Sequence, residues 1–186
     1  MVITGNPGVG KHTSARIVAE KTGAGIVDIN IVAIDNNAIS KKTTKGLDID
    51  TKKLSRLLEK SLAAKKDLVI VGHLAPYVLN PSHVDLVAVL RRSPYEMEET
   101  FEKRRYTREK ARENIASEIL GVLFYDSLKM FGKRKVAEFD TTTRTPEQTA
   151  DELISTLRRK IPRQTAGIDW LARVSEKGDL KKFFEY

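Results

Sequence analysis

Short apolar runs alternate with amphipathic segments along most of the chain. The runs lie at residues 1–4, 26–29, 68–71, 84–90 and 136–139. Those at 68–71 and 84–90 lack the polar–apolar alternation of a half-exposed strand, which indicates strands buried on both faces of a parallel sheet. The pattern therefore predicts five strands of a central sheet.

The segments between these runs have helical spacing and helix-boundary signals. Predicted helices begin at Lys11, Asp50, Pro94, Thr107 and Pro146. Glycines close two of them: Gly23 ends the first, and Gly132 ends the helix that starts near Thr107. The sequences Ser93-Pro94-Tyr95-Glu96 and Thr145-Pro146-Glu147-Gln148 both match the capping box, so side-chain caps are expected at Ser93 and Thr145. Residues 30–47 show neither period and are predicted to be irregular.

Alternating strands and helices predict an α/β fold with a parallel sheet. No repeat or linker divides the chain, so residues 1–186 are interpreted as one domain. The only plausible break is at 162–167, and it is followed by a basic C-terminal tail, residues 162–186. That tail contains the chain's single tryptophan, Trp170.

Composition narrows the classes of function. The chain has 40% hydrophobic and 31% charged residues and no apolar run long enough to cross a membrane. Its first strand starts at Met1, which predicts no signal or transit peptide, and a cytoplasmic location is expected. The absence of Cys excludes disulfides and thiolate metal sites.

The net charge of +8 favours polyanionic partners, such as nucleotides or RNA, although many lysines could equally solvate helix faces. Residues 156–186 carry eight Lys or Arg against four Asp or Glu, and so contribute +4 of that charge.

The clearest motif is Gly5-Asn6-Pro7-Gly8-Val9-Gly10-Lys11, between the first strand and the first helix. Glycines permit the positive φ angles that turn several backbone N–H groups toward one anion, and the helix N-terminus adds its dipole. Lys11 is expected to reach the β- and γ-phosphates from a position exposed in the nucleotide-free protein. A structural glycine turn is the alternative, and the strand–loop–helix context argues against it.

The residue after Lys11 is His12, where phosphate loops usually have a Ser or Thr that holds Mg²⁺. The stretch Gly5 to Ala15 resembles adenylate kinases, many of which have Thr one position later. The resemblance implies that Gly8, Gly10, Lys11, His12 and Thr13 bind ATP, and that the Thr13 hydroxyl holds Mg²⁺ through water. It leaves open whether His12 touches phosphate, metal or neither.

Arginines gather where a phosphoryl-transfer site needs cations. Arg91 and Arg92 follow the fourth strand, at the carboxyl edge where ligands bind in such sheets. A second group lies in one helix–turn–helix segment, at positions 104, 105, 108 and 112. This second group, beside a phosphate loop, predicts a lid over the phosphates.

A more specific resemblance covers residues 1 to about 157. It rests on Gly72-His73, Leu90-Arg91, Pro94, Arg104-Arg105-Tyr106, Lys110, Glu113-Asn114 and Glu118-Ile119. These residues resemble adenylate kinase isoenzyme 6, the CINAP type, and its archaeal counterparts. The resemblance implies a P-loop fold and an ATP-dependent adenylate kinase with ATPase activity, acting on ATP or ADP and on AMP or another NMP. It also implies a role in maturation of the small ribosomal subunit through binding of small-subunit ribosomal protein eleven.

The same resemblance assigns regions and residues. The acceptor-nucleotide region would be about residues 28–51 and the short lid about 103–113. Lys11, His73 and Arg104 would be catalytic, with Arg104 contacting ATP phosphates. Arg144, in the loop after the fifth strand, would lie near the ATP base.

Three positions depart from the family pattern. Val71 replaces an Asp or Glu that organises water around the metal, Arg105 replaces the glycine of Arg-Gly-Tyr, and Thr100 replaces an Arg. These departures bear on the efficiency of phosphoryl transfer more than on nucleotide binding. A small-molecule kinase of another type, such as a shikimate or nucleoside kinase, is the alternative, but its loop commonly continues Lys-Ser or Lys-Thr, unlike Lys11-His12. A third possibility is a nucleotide-gated assembly factor with little kinase activity.

Overall fold

The computed structural model describes residues 1–43, 46–63, 66–163 and 167–184. The strands within these ranges are β1 (Val2–Thr4), β2 (Gly25–Asp28), β3 (Ile39–Thr43), β4 (Gly46–Ile49), β5 (Leu68–Val71), β6 (Val87–Arg91) and β7 (Val136–Asp140). The α-helices are α1 (Lys11–Thr22), α2 (Ile29–Asp35), α3 (Thr51–Ala63), α4 (Ala75–Val78), α5 (Pro94–Lys103), α6 (Arg108–Ile119), α7 (Val122–Phe131), α8 (Pro146–Leu157), α9 (Trp170–Glu176) and α10 (Leu180–Phe184).

Five strands form one parallel sheet in the order β2-β5-β1-β6-β7. Helices cover both faces, so the predicted α/β architecture with a five-stranded parallel sheet is confirmed. The strand β1 lies at the centre, and its carboxyl end leads directly into the glycine-rich loop. This topology places that loop in the middle of the sheet edge where ligands bind in open α/β folds.

Two apolar cores fill the space between the sheet and its helices. One packs α1, α5, α6 and α8 against one face, together with residues of α9 and α10. The other packs α2, α3, α4 and α7 against the opposite face. Because both faces are covered, the central strands are apolar except at the carboxyl ends of β1 and β6, which are Thr4 and Arg91.

The prediction that residues 30–47 are irregular is wrong. The segment contains α2 and the first strand of an antiparallel hairpin made by β3 and β4. The helix begins because Asp28 Oδ1 accepts a hydrogen bond from the Asn30 amide at 2.8 Å, a side-chain N-cap. The hairpin escaped prediction because its strand Ile39–Thr43 is mostly polar and carries no alternating apolar signal. Residues 44 and 45 lie outside the described ranges.

The single helix predicted from Thr107 to Gly132 is two helices, α6 and α7. Gly121 separates them with a φ of 65°, in the left-handed region where a helix cannot continue. Gly132 ends α7 as predicted, and Gly23 ends α1.

One of the two predicted capping boxes is correct. Thr145 and Gln148 exchange side-chain and backbone hydrogen bonds at the start of α8. Ser93 makes no side-chain cap on α5. The Ser93 amide, which Glu96 would accept from in a capping box, donates to Thr142 Oγ1 at 2.9 Å, and Glu96 pairs with Arg92 at 3.5 Å. The fourth predicted strand, 84–90, is displaced to Val87–Arg91, after a 3₁₀ turn at Pro81–His83.

The described part of the basic C-terminal segment folds back onto the domain. Trp170 is 4% exposed, and Val174 and Phe183 are also buried in the core on the α1 face. Three of its cations lie over aromatic rings: Arg173 over Trp170, and Lys177 and Lys182 over Tyr95. The segment is therefore part of the domain's folded surface between residues 167 and 184. Across the described ranges, no helix combines the length and apolar character needed to span a bilayer.

Candidate functional site

A cleft of about 940 Å³ opens at the carboxyl edge of the sheet, around the glycine-rich loop. Its volume is near the upper end for small-molecule sites, enough for a nucleotide and a second substrate. The loop side comprises Asn6, Pro7, Gly8, Gly10, Lys11, His12 and Thr13. The side formed by the predicted acceptor region and the segment after β5 comprises Asn30, Ile34, Asp48, Ile49, Thr51, His73, Leu74 and Tyr77. The third side comprises Arg104, Tyr106, Lys110, Asn114, Ser117, Val122 and Leu123.

The loop has the backbone geometry of an anion cradle. Gly5, Gly8 and Gly10 all have positive φ angles, of 145°, 94° and 88°. At Gly5 a side chain would also collide with its surroundings, since a Cβ there would lie 2.5 Å from the carbonyl oxygen of Leu90. The loop leads directly into α1, whose first amides have no acceptor within the helix. These features confirm the glycine geometry that the sequence predicts.

Lys11 is buried, which corrects the expectation that it is exposed. The residue is 6% exposed, and its Nζ donates to the carbonyl oxygen of Asn6 at 3.3 Å. Burial and the nearby positive charge of Arg104 lower the pKa of Lys11 to about 8, against the opposing effect of Asp28. A bound phosphate would supply the negative charge that this partly desolvated ammonium lacks.

His73 lies at the carboxyl end of β5, facing the same cleft. Burial, together with the charges of Lys11 and His12, lowers the pKa of His73 to about 4. The imidazole is therefore neutral at pH 7, with one nitrogen able to donate a hydrogen bond and the other able to accept one.

His12 and Thr13 both lie in the exposed first turn of α1 and line the cleft. The Nε2 of His12 is 3.0 Å from Asp28 Oδ2, and the side chains are 51% and 16% exposed. Burial acts to raise the pKa of Asp28, but hydrogen bonds from His12 and from the Asn30 amide outweigh it, so the pKa is lowered. Asp28 thus stays ionised and uses one carboxylate oxygen for α2 and the other for His12.

Arg104 occupies the predicted lid at the end of α5. Of the four arginines in the predicted lid cluster, it is the one that lines the cleft. The turn after it is a Schellman motif, in which the amides of Arg105 and Tyr106 donate to the carbonyls of Glu102 and Phe101. The Tyr106 ring stacks on Phe101 with centroids 4.9 Å apart. This packing fixes the direction in which the chain leaves α5.

The Schellman turn predicts how Arg105, which replaces a glycine of the family pattern, affects stability. Arg105 has a φ of 54°, in the left-handed region that glycine adopts without strain. Arg105→Gly is therefore expected to raise the free energy of unfolding by about 0.5–1 kcal/mol, measured by chemical denaturation. Arg105→Ala is the matched control, because it also removes the guanidinium but keeps the backbone strain. Equal stability of the Gly and Ala variants would contradict the explanation.

Arg91 does not line the cleft, although the sequence places it at the ligand-binding edge. It is 3% exposed and forms ion pairs with Glu118 Oε1 at 2.6 Å and Glu138 Oε1 at 2.5 Å. Burial raises the pKa of Glu138 despite the opposing charge of Arg91. The role of Arg91 is therefore structural, beneath the site.

Glu118 and Asn6 are site-supporting residues to which the sequence analysis gave no role. Glu118, 1% exposed, accepts hydrogen bonds from Asn6 Nδ2 at 2.7 Å and from the indole of Trp170 at 3.2 Å, besides its contact with Arg91. A second hydrogen bond that supports the glycine-rich loop runs from Thr141 Oγ1 to the carbonyl oxygen of Val9. The Glu118-Ile119 pair belongs to the family pattern, which was the available signal. Its contacts join residues far apart in the chain, and no local spacing reveals them.

Arg144 lies after β7, outside the set of residues that line the cleft. Its Nη1 donates to the Asp140 carbonyl oxygen at 2.9 Å and pairs with Glu152 Oε2 at 2.7 Å. The contact with the ATP base implied by the family resemblance stays a prediction.

Comparisons with known proteins agree with this geometry. A family model described as "AAA domain" matches residues 1–121. A protein named "Putative adenylate kinase" from Thermococcus kodakarensis is 33% identical over 170 residues, covering 91% of this chain and 92% of that protein. One of the same name from Methanocaldococcus jannaschii is also 33% identical, over 189 residues, covering 100% and 96%.

Among solved structures, the shikimate kinase of Acinetobacter baumannii superposes with a TM-score of 0.59 at 14% identity, covering 87% of this chain and 94% of that one. At this identity the likeness supports the fold, a P-loop α/β domain. The family model and the two relatives show that the chain belongs to the AAA-domain family and to the archaeal group of proteins named putative adenylate kinase.

Proposed function

We propose that the protein is an ATP-dependent nucleoside monophosphate kinase of the isoenzyme 6 type, with AMP as the first candidate acceptor, and that it also hydrolyses ATP. One observation carries the proposal: the phosphate loop and the predicted acceptor region face each other across one cleft, with Lys11, His73 and Arg104 around it. The names of the archaeal relatives support the choice of acceptor. The substrates of such an enzyme are dissolved nucleotides, which agrees with the expected cytoplasmic location.

The chemistry follows from the charges around the cleft. In the kinase reaction, the bond between the γ-phosphorus and the β–γ bridging oxygen of ATP breaks, and an acceptor phosphate oxygen bonds to the γ-phosphorus, giving ADP and a nucleoside diphosphate. In ATP hydrolysis, water takes the acceptor's place and yields ADP and phosphate. Lys11 and the loop amides stabilise charge on the phosphates. The neutral His73 can orient the acceptor oxygen or water.

The residues present fit a nucleotide-bound Mg²⁺. The Thr13 hydroxyl is an oxygen donor at the start of α1 that lines the cleft, and Mg²⁺ takes oxygen ligands. The described residues contain no cluster of three His, Cys, Asp or Glu able to hold a metal by itself. That agrees with an ion bound mainly by substrate phosphates and water, as in other phosphoryl-transfer sites. When bound, Mg²⁺ would neutralise phosphate charge.

The direct test is nucleotide turnover with ATP alone and then with each of AMP, GMP, CMP and UMP. The expected result is slow hydrolysis of ATP alone and faster formation of ADP with one NMP. Shikimate and gluconate serve as further acceptors, because kinases for other small molecules share the fold. Faster ADP formation with one of these, and none with any NMP, would overturn the choice of acceptor.

Arg104→Ala is expected to lower kcat on the order of 10²–10³-fold, with a smaller change in the affinity for ATP. Arg104 lies in the cleft close enough to Lys11 to affect its pKa, so its charge acts where the transferred phosphoryl group develops charge. Steady-state kinetics check this, with the exposed Arg16→Ala on α1 as control. A change confined to KM would indicate a contact made in the ground state alone.

We also propose a role in maturation of the small ribosomal subunit, through nucleotide-dependent binding of small-subunit ribosomal protein eleven. The family resemblance suggests this partner, and the +8 charge and the cationic C-terminal surface support it. The absent carboxylate at Val71 favours slow turnover, which suits a switch. Such a switch can act only through different affinities of its ATP and ADP states for the partner.

Pull-down of that ribosomal protein without nucleotide, with ADP and with ATP tests this role. Retention that differs between ADP and ATP is expected. Equal retention in all three conditions would remove the switch, and no retention would leave a nucleotide kinase.

A further inference from the structure

His12 occupies the position at which a phosphate loop normally presents the hydroxyl that ligates the nucleotide's metal ion. It lies in the first turn of α1, next to Lys11 and Thr13, and lines the cleft. The side chain is 51% exposed, so no burial of the ring accounts for a histidine here. A structural role for His12 would have to come from its contact with Asp28.

That contact leaves one ring nitrogen available. Asp28 Oδ2 lies 3.0 Å from Nε2 of His12. A carboxylate oxygen accepts, so Nε2 donates this hydrogen bond, and Nδ1 is the ring nitrogen left to bind a metal ion. Within the described ranges, Nδ1 has no protein hydrogen-bond donor. A carboxylate that holds one ring nitrogen of a histidine is the usual support of a histidine that ligates a metal with the other nitrogen.

The register of the sheet strengthens this reading of Asp28. Asp28 and Val71 are direct partners on the neighbouring strands β2 and β5. Position 71 is an apolar valine, 2% exposed, which offers no oxygen or nitrogen ligand to a metal ion. The carboxylate at this edge of the sheet therefore lies one strand away, on β2, where it contacts His12.

We propose that His12, held by Asp28, is a nitrogen ligand of the divalent metal ion that accompanies the bound nucleotide. The inference rests on the proposed function, because the nucleotide phosphates and water supply the remaining ligands. Imidazole suits first-row transition metals, whereas Mg²⁺ takes oxygen ligands. The site therefore accepts Mg²⁺ through phosphates and water but binds Mn²⁺ and Co²⁺ more tightly, which a hydroxyl at position 12 would not cause.

The first experiment measures ligation without turnover. Mn²⁺ is bound to the full chain together with ADP, and electron spin echo modulation is recorded to detect a directly coordinated nitrogen. A nitrogen signal is expected that disappears in His12→Thr and persists in His73→Asn, the other histidine in the cleft. Loss of the signal in His73→Asn alone, or its absence from the unaltered protein with ADP and Mn²⁺ bound, would overturn the inference.

The second experiment measures selectivity by titrating Mn²⁺ and Mg²⁺ into the ADP complex of each variant. His12→Thr is expected to bind Mn²⁺ at least about 10-fold more weakly and to bind Mg²⁺ about as well, because threonine supplies an oxygen. An equal effect on both metals would show that His12 acts only as a partner of Asp28, and would overturn the inference.

Asp28→Asn isolates the supporting residue. The single side-chain oxygen of the introduced asparagine can still cap α2, which leaves the NH2 group, a donor, facing His12. Nε2 then has to accept, which favours the His12 tautomer with hydrogen on Nδ1. Affinity for Mn²⁺ is expected to fall about 10–100-fold. Circular dichroism verifies that the fold is kept, and His83→Thr, on the 3₁₀ turn, is the histidine control. Unchanged Mn²⁺ affinity in folded Asp28→Asn would contradict the role of Asp28.

These outcomes are separable from a failure of the proposed function. If ADP does not bind, the assignment of the cleft as a nucleotide site is wrong, and the proposed function falls with it. If ADP and Mn²⁺ bind and no histidine nitrogen is coordinated, the proposed kinase stands and the ligand assignment falls.

Discussion

Replacing Lys11 with methionine is expected to lower kcat for ATP turnover on the order of 10²–10³-fold while the protein stays folded. The Nζ of Lys11 is the cation of the glycine-rich loop, and it donates to the carbonyl oxygen of Asn6 within that loop. Methionine keeps most of the buried stem and removes a charge whose burial is unfavourable, as the lowered pKa of Lys11 indicates. Stability is therefore expected to be unchanged or higher.

Steady-state turnover and thermal unfolding of the same preparation check both halves of this prediction. Lys21→Met is the control, since Lys21 lies at the far end of α1, where it pairs with Asp151 on the surface. Wild-type turnover in folded Lys11→Met would reject the assignment of the phosphate loop. Loss of turnover together with loss of the fold would show instead that the buried ammonium stabilises the loop.

Arg91→Met is expected to lower the free energy of unfolding by about 3–5 kcal/mol. Arg91 is the guanidinium shared by Glu118 and Glu138, and all three side chains are at most 3% exposed. Removing it leaves two buried carboxylates without their cation. The loss is far larger than the effect of an exposed ion pair, which is typically below about 1 kcal/mol.

Denaturant unfolding at pH 7 measures the effect. The triple variant Arg91→Met, Glu118→Gln, Glu138→Gln is the matched control, because it removes the uncompensated charges along with the arginine. It is expected to recover a large part of the lost stability. A loss below about 1 kcal/mol for Arg91→Met alone would mean that water or another cation satisfies the carboxylates.

The sequence predicts the parts of the fold whose causes are local. Buried runs such as Leu68–Val71 fall at the predicted positions, and Gly23 and Thr145 end or begin helices because their own backbone or side-chain chemistry determines it. The prediction for residues 30–47 was wrong because the hairpin there is polar. Its two strands are defined by their pairing with each other, which leaves no pattern of apolar residues in the sequence. The prediction of one continuous helix across Gly121 was wrong because the helical spacing of apolar residues continues on both sides of this glycine, whereas its positive φ ends the helix.

The sequence likewise predicts some features of the candidate site and misses others. Gly8, Gly10, Lys11 and Arg104 come together at one cleft, as expected from the phosphate-loop motif and the family resemblance, and their roles in binding and catalysis stay predictions. The burial of Lys11 could not be predicted, since it depends on how Asn6 and the surrounding elements enclose the loop. Arg91 was placed at the correct edge of the sheet but with the wrong role, because its partners on α6 and β7 are set by the tertiary fold.

The hydrogen bonds of Glu118 also bear on the order in which the protein is made. Asn6 is synthesised well before Trp170, and both donate a hydrogen bond to the same Glu118 carboxylate. Domains form from the N-terminus as synthesis proceeds, yet this loop acquires its full support only when α9 docks. A nascent chain that has not yet reached residue 170 therefore presents the phosphate loop before the hydrogen bond from Trp170 to Glu118 can support it.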